Sequence, residues 1–496
     1  MSAAEPSRPA PGSDFLQLRA QEAPAKGLTG WLTDGLRAAI TAGRLAPGTR
    51  LPATRRLAAE LGVSRGVVVQ AYQRLVDEGL AAARTGSGTV VARDAAVAPR
   101  PSADRRRTLR RLRLPLPTPD GIDLDLSPGV PDLSAFPRAA WLRAERAVLD
   151  RVTAADLGYG DPGGSPRLRA ELAGWLARTR GVRAEADDIL VCGGVAQGLA
   201  LLAQAASARG EAAWAVEDPG SRGARDQVAH WRVRPEPVPV DDDGLRIAPL
   251  RATGLHTVLL TPAHQFPTGV VLAPQRRREL LTWVAEGARL IVEDDYDAEH
   301  RYDRAPVAAV QGAAPERVAY LGSVSKSLAP GMRLGWLIAP RRRQAELLAA
   351  KHASDLGSPA LPQLVLAHLL ASGDYDRHLR HVRARQRARR DALLAGLRTH
   401  LPQARVRGVA AGLHLLAELP AGDDVALAER VRAHGVLVHP LSWHRSQPGR
   451  PGLVLGYAAH PPDRLTDAAV RIGAALAGTA ATPAAPSRGR SAAPSS

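Results

Sequence analysis

Lys326 is one of three lysines in a chain of 496 residues that carries 63 arginines. It stands in SVSKSLAPGMRLGW (323–336), after a short apolar run and between two serines. An arginine there would stay charged at any protein pH, whereas a desolvated lysine amine can lose its proton and act as a nucleophile. Ser323 lies three residues before it on the same turn. Arg333 follows seven residues after it, at the start of the next strand, with a planar fork suited to a phosphate. Upstream, LIVEDDYDAEHRY (290–302) ends a strand at Asp294 and puts Tyr296 two residues beyond. Strand ends of an open parallel sheet converge on one crevice, so the two stretches can meet around one ligand. An imine-forming lysine, phosphate donors and a carboxylate for a ring nitrogen are what pyridoxal 5′-phosphate demands. The pattern predicts that cofactor, with Lys326 as the catalytic, Schiff-base lysine.

These residues need strands and helices to hold them. From about 122 to 479, TVLLT (257–261), RLIVED (289–294), RVAYLG (317–322) and RLGWLIAP (333–340) read as strands, and PQRRRELLTWVAEGA (274–288) as a helix. Strands alternating with helices predict an α/β domain with a largely parallel sheet. Residues 1–25 and 480–496, rich in Ala, Pro and Ser, read as disordered tails. Residues 94–121 hold seven arginines and five prolines and read as a linker, either a solvated spacer or a segment that also touches phosphates.

The formal charge of +17 and pI near 11.0 point to a polyanionic partner. No run of 18 uncharged apolar residues exists, and MSAAEPSRPAPGSDF has no hydrophobic signal region, so the expectation is a soluble, cytoplasmic protein without a membrane role. Cys192, the one cysteine, excludes an intrachain disulfide framework and reads as a packed residue. The 14 histidines show no HxxxH or HxH spacing, and no metal is expected.

The smaller segment, 26–93, has chemistry of another kind. In LPATRRLAAELGVSRGVVVQAYQRLVDEGL (51–80) a short helix over 54–61 breaks at Gly62, and Ser64 caps a second helix. Val67, Val68, Ala71, Leu75 and Val76 form its buried face, while Arg65, Gly66, Val69, Gln70 and Gln73 point outward. A Gly-Ser-Gly tip in ARTGSGTVVA (83–92) then makes a hairpin wing. Helix, tight turn, helix and wing in a basic protein predict a reader of double-stranded operator DNA.

The first segment resembles the winged helix-turn-helix of the GntR superfamily. The resemblance places DNA contacts on Arg55, Ser64, Arg65 and the wing residues Gly86, Ser87 and Gly88. Relatives commonly carry Asn-Thr where this chain has Gly66 and Val67, so Val69 against a thymine methyl takes part of the reading. The second part resembles the fold-type I aminotransferases, and the whole chain the MocR branch of GntR regulators, including its pyridoxal-phosphate-biosynthesis regulators. The matching stretches are LGYGDPGGSPRLRAELAGWLARTRGV (157–182), TPAHQFPTG (261–269), EDDYDAEHRY (293–302) and SVSKSLAPGMRLGW (323–336). The resemblance implies Lys326 bonded to the cofactor aldehyde, Asp294 on the ring nitrogen and Tyr296 on the phenolic oxygen. Ser323, Arg333 and the backbone at Gly194–Val195 would hold the phosphate, and Tyr159 would reach the phosphate of a neighbouring subunit in a homodimer.

Three departures matter. Phe266 replaces the usual asparagine before Pro-Thr-Gly, shifting the ring-oxygen contact onto Tyr296; Ser221 stands where relatives often stack an aromatic residue. His264, in the same loop as Phe266, reads as a packed histidine or as one near the ring. Val454 stands where an aminotransferase carries a substrate-binding arginine, and Arg450 lies in a nearby Pro-Gly turn. Two function classes follow. One is a DNA-binding regulator sensing an effector, either pyridoxal phosphate itself or a GABA-like amine or amino acid. The other is an active aminotransferase with a DNA-binding appendage.

Overall fold

The computed structural model describes residues 27–84, 88–92, 121–297, 299–303 and 307–477. They fall into two compact units divided after Pro117. Both tails, the linker up to Asp120, and the wing tip with Gly86 and Ser87 lie outside the described residues.

In the first unit α1 (Leu28–Thr41) precedes α2 (Thr54–Leu61) and α3 (Arg65–Asp77). Gly62 ends α2 with a left-handed φ of 64°, a conformation in which a β-carbon is penalised. The Ser64 Oγ then accepts from the Val67 amide at 3.4 Å and caps α3. The buried face of α3 is Val68, Ala71, Tyr72 and Leu75. Val67 and Val76, expected inside, are only half-buried. Tyr72 takes their place because its hydroxyl reaches the Pro52 carbonyl at 2.9 Å, satisfying the one polar atom that burial would orphan. The wing pairs β1 (Ala81–Arg84) with β2 (Gly88–Val91), antiparallel. Residues 48–51 extend it, with Leu51 N donating to Thr89 O and Val91 N to Thr49 O, both at 2.8 Å.

The second unit is built on an eight-stranded sheet. Its strands are β4 (Ile189–Cys192), β5 (Ala213–Asp218), β6 (Arg234–Asp241), β7 (Gly244–Leu245), β8 (Thr257–Leu260), β9 (Leu290–Asp294), β10 (Val318–Ser323) and β11 (Gly335–Ile338), while β3 (Leu124–Asp125) pairs elsewhere. The order across the sheet is β4-β11-β10-β9-β8-β5-β6-β7. The pairs from β10 through β9, β8 and β5 to β6 are parallel, whereas β11 runs antiparallel to both β10 and β4. β8, β10 and β11 are buried along their whole length, as a sheet covered by helices on both faces requires. The pleat sorts neighbours. Tyr320, Trp336 and Ile338 pack into one core with Trp175, and Ala319, Leu321 and Leu337 into the core on the other face.

A smaller four-stranded sheet follows, with β12 (Arg405–Arg407), β13 (His414–Glu418), β15 (His439–Pro440) and β16 (Gly452–Gly456) in the order β12-β13-β16-β15; β14 (Val436–Leu437) pairs in parallel with β3. The long helix Asp374–His400 packs against Pro462–Ala477 beside it.

Close approach at Gly198 fixes the helix Val195–Ala208 on the main sheet, since a β-carbon there would lie 2.5 Å from Leu321 Cδ2. Gly198→Val should cost about 1–3 kcal/mol in a urea melt, and an unchanged midpoint would refute this packing.

Candidate functional sites

The antiparallel course of β11 builds the site. Its first residue, Gly335, sits opposite Ser323 at the end of β10 and Cys192 at the end of β4. The segment before β11 therefore enters the edge where β4, β5, β8, β9 and β10 all end. Arg333, in a left-handed turn with φ 49°, donates to the Gly193 carbonyl. A β-carbon on Gly194 would lie 3.3 Å from its guanidinium, so the glycine leaves room for the cation. Gly194 caps the helix Val195–Ala208, whose opening amides make an anion-binding end. Ser323, Arg333, Gly194 and Val195 thus meet around one strand edge. Arg333, expected at the start of the strand, lies two residues before it, in the turn.

Lys326 follows β10, half-buried, and its Nζ donates to the Gly129 carbonyl at 2.6 Å. Burial pushes its amine below the ordinary value against the pull of Asp297 and Asp294. Gly129 carries no signal of its own in the sequence. Its left-handed φ of 85° explains the glycine, and a β-carbon there would lie 3.2 Å from Nζ.

Asp294 ends β9. Its Oδ1 is shut off from solvent with no hydrogen-bond partner among the described residues. Burial, then Asp295 and Asp297, push its carboxyl up to about 7. A buried polar atom without a partner is costly, and a protonated ring nitrogen is the partner that would relieve it. The neighbouring acids are already engaged. Glu293 accepts from the Val310 and Gln311 amides, both at 2.9 Å, and Asp295 pairs with Arg180 at 2.7 and 3.0 Å.

Tyr296 stands within 3.1 Å of His264 Nδ1, which lies 2.9 Å from Asp297 Oδ2. His264 is thus both packed and directed at the tyrosine. Phe266 offers no donor; its ring lies among His414 and His444, with centroids at 4.9 and 5.0 Å. Burial pushes both of those imidazoles down to about 3, so they are neutral. Ser221 caps the helix Arg222–His230, accepting from Ala224 N at 3.3 Å. Val454 is fully buried in β16 against Leu416 and Leu441, so no cation stands at that position. The Arg450 carbonyl accepts from the Arg445 side chain at 2.6 Å. Tyr159 is 86% exposed. Cys192 is buried, and desolvation pushes its thiol up to about 12.

The residues present fit pyridoxal phosphate. A carboxylate in need of a cation, a desolvated amine and an anion cradle converge where the cofactor would place its nitrogen, aldehyde and phosphate. Asp297 and Gly129 are the site residues that sequence reasoning missed. Asp297 had a signal, its place in EDDYD, but one acid among five in 293–299 gives no orientation.

On the first unit Arg55, Ser64, Arg65, Val69 and Gly88 are all exposed. Arg56 pairs with Glu60 at 2.7 Å, whereas Arg65 makes no ion pair among the described residues. Arg50 also approaches the wing, its Nε 3.3 Å from where a Gly88 β-carbon would stand.

Both geometries can be tested. A carboxyl raised from its ordinary value near 3.9 to about 7 binds its proton more tightly in the folded state. Its stability contribution is therefore present below about pH 4 and lost as pH rises through about 7. Apo-protein carrying Asp294→Asn should be more stable than wild type at pH 8, by at most about 4 kcal/mol. The gap should close toward pH 4. Thermal melts across that range would show it, and a gap that does not change with pH would contradict the assignment. On the first unit, Arg65→Ala should weaken specific DNA binding by about 1–3 kcal/mol in a shift assay. Arg56→Ala, which removes a residue already paired, should matter less; equal losses would refute the recognition-helix assignment.

Comparison with known proteins agrees with both units. The aminotransferase class I and II family matches residues 122–472, and the bacterial regulatory proteins of the gntR family match residues 31–91. The chain is 34% identical over 440 residues to the HTH-type pyridoxine biosynthesis transcriptional regulator PdxR of Corynebacterium glutamicum, covering 88% of this chain and 92% of that one. It is 32% identical over 452 residues to the probable rhizopine catabolism regulatory protein MocR of Rhizobium meliloti, covering 88% and 91%. Among solved structures, Pyrococcus horikoshii kynurenine aminotransferase superposes with a TM-score of 0.67 at 25% identity, over 78% of this chain and 96% of that one. That fold family is pyridoxal-phosphate-dependent, and among the described residues no helix is long and apolar enough to cross a membrane. With a gntR-type winged helix in front of a fold-type I aminotransferase-like domain, and relatives of the same build along most of its length, the chain belongs to the MocR-type transcription regulators and resembles their PdxR-like members.

Proposed function

We propose that the aminotransferase-like domain binds pyridoxal 5′-phosphate and serves as the effector sensor of a cytoplasmic, homodimeric regulator of vitamin B6 or amino-acid metabolism. In this reading Lys326 holds the cofactor covalently, Asp294 pairs its ring nitrogen and Tyr296 donates to its phenolic oxygen. Ser323, Arg333 and the amides at Gly194–Val195 hold its phosphate, and Tyr159 reaches across to the neighbouring subunit. Arg55, Ser64, Arg65, Val69 and the wing, Gly86–Gly88, contact operator DNA. When bound, the cofactor supplies an electrophilic carbon and an electron-withdrawing ring; the chain supplies position and charge.

The observation that carries this reading is the unpaired Asp294 carboxyl beside the desolvated Lys326 amine. Val454 separates sensing from turnover, because it is apolar and buried where a substrate carboxylate would want a cation. Desolvating such a carboxylate without a partner costs several kcal/mol. The cofactor brings its own anchor points and needs no arginine there. The Corynebacterium glutamicum relative is named for pyridoxine biosynthesis, which supports a target in B6 metabolism. A ligand that ties several strand ends together interacts differently with different dimer arrangements, as a population shift requires.

The test is a titration of apo-protein on mapped operator DNA with pyridoxal phosphate, GABA and common amino acids, beside a transamination assay. The cofactor alone should alter affinity or footprint, amino compounds should add little, and Lys326→Ala should abolish both the visible cofactor band and the response. Fast amino-acid turnover, or a DNA response only with an amino compound present, would favour the aminotransferase or amine-sensing alternatives.

A further inference from the structure

Tyr296 does not act alone. Its hydroxyl, His264 Nδ1 and Asp297 Oδ2 form a continuous chain with spacings of 3.1 and 2.9 Å. Both His264 and Asp297 are buried, at 3% and 2% side-chain exposure. We propose that Asp297 and His264 are positioning residues that aim the Tyr296 proton at the cofactor's phenolic oxygen, replacing the amide donor that Phe266 lacks. This inference rests on the cofactor reading above.

The direction of each hydrogen bond carries the argument. Burial works against the Asp297 charge, but the His264 imidazole hydrogen-bonded to it outweighs that and holds the carboxyl below its usual range. An ionised carboxylate only accepts, so the nitrogen facing it must bear the hydrogen. His264 Nδ1–H is then a donor, shared between Asp297 and the Tyr296 oxygen. Burial, with Asp297 and Asp294, holds the Tyr296 phenol well above its ordinary value, so it keeps its proton. Asp297 is the competing acceptor, bonded to the Tyr296 hydroxyl as well as to His264. The His264 N–H shares that carboxylate and weakens its hold on the Tyr296 proton, which a phenolic oxygen can then take.

The charged and titratable surroundings come from several elements. Asp294 and Glu217 face Tyr296 from the ends of β9 and β5. His300 and His414 face Asp297, and Lys326 and His264 face His414. Burial pushes His300 down to about 4 and His414 to about 3, so neither charges near neutral pH. The His414 ring lies 5.2 Å from that of His264 and is packed between it and Phe266. A neutral His414 screens the chain from water without joining it.

A donor to the phenolic oxygen stabilises negative charge there most when the nitrogen joining Lys326 to the cofactor is unprotonated. Losing the donor therefore raises the pH at which the visible band converts between its two forms. In Asp297→Asn the His264 tautomer is no longer imposed, and an unprotonated Nδ1 would accept the Tyr296 proton. In His264→Gln the Asp297 carboxylate loses its imidazole donor and holds the Tyr296 proton more tightly. Both should raise the midpoint by about one pH unit, roughly tenfold in proton affinity, and Tyr296→Phe by at least as much.

The experiment is a spectrophotometric pH titration of cofactor-loaded wild type and the three variants, each checked for native circular dichroism. A raised midpoint in all three supports the chain. A shift in Tyr296→Phe alone, with His264→Gln and Asp297→Asn at wild-type values, would reduce the cluster to packing. Because the donor atoms of His264, Asp297 and His414 lie within 4.8 Å of one another, a parallel titration adds a chelator or zinc chloride. A midpoint that moves with either would reassign the cluster to a metal and overturn the proposal. Failure of the wild type to develop any band would instead sink the cofactor reading, a result distinct from a band whose midpoint ignores the variants.

Discussion

Five acidic residues within 293–299 are drawn into the interior, and the way their charges are divided governs the rest of the second unit. Charges so close in a dry environment repel strongly, so each needs its own partner or its own proton. The pleat of β9 makes the first division, sending Glu293 to the face opposite Asp294. Glu293 is anchored by two amides, Asp295 by Arg180 and by the Tyr320 hydroxyl at 2.5 Å. Asp297 is hydrogen-bonded to His264. Glu299, also buried, has its carboxyl pushed up to about 7 by desolvation and then by Asp295. Only Asp294 ends at the strand edge with an oxygen that no protein donor meets among the described residues. That arrangement has a local cost that a cationic partner would relieve.

The same edge positions Lys326. Its loop hangs between β10 and β11, and the antiparallel course of β11 forces the chain to turn back at the height of the other strand ends. Arg333 is thereby delivered to the mouth of the helix Val195–Ala208 rather than to the far side of the sheet. The positions of Ser323, Lys326 and Arg333 are consequences of one strand direction.

The two units divide labour by their chemistry. The winged helix keeps a hydrophobic interior closed by Tyr72 and leaves Arg55 and Arg65 exposed for an anionic partner. The aminotransferase-like unit gathers Ser323, Lys326, Arg333 and Asp294 at one strand edge and buries Val454 in a small apolar cluster.

Much of this was legible in residue types and spacing. The Gly62 turn and Ser64 cap are local, since left-handed φ and N-capping depend on one or two residues. The strand cores were legible because burial on both faces demands unbroken apolar runs. Lys326 stood out in a chain that otherwise uses arginine, and the strand-end rule joined it to Asp294. Orientation was not legible. Nothing local distinguishes a parallel from an antiparallel β11, because that depends on which neighbours its edges find. Nor does EDDYDAE say which acid meets an arginine, a histidine, an amide or nothing, since those partners come from 180, 264 and 310–311. Tyr72 and Gly129 were likewise decided by the distant carbonyl or amine each one meets. Residue chemistry and short-range backbone preference belong to the sequence itself, whereas the pairing of buried charges belongs to the tertiary structure, because only folding brings their partners into a shared low-dielectric space.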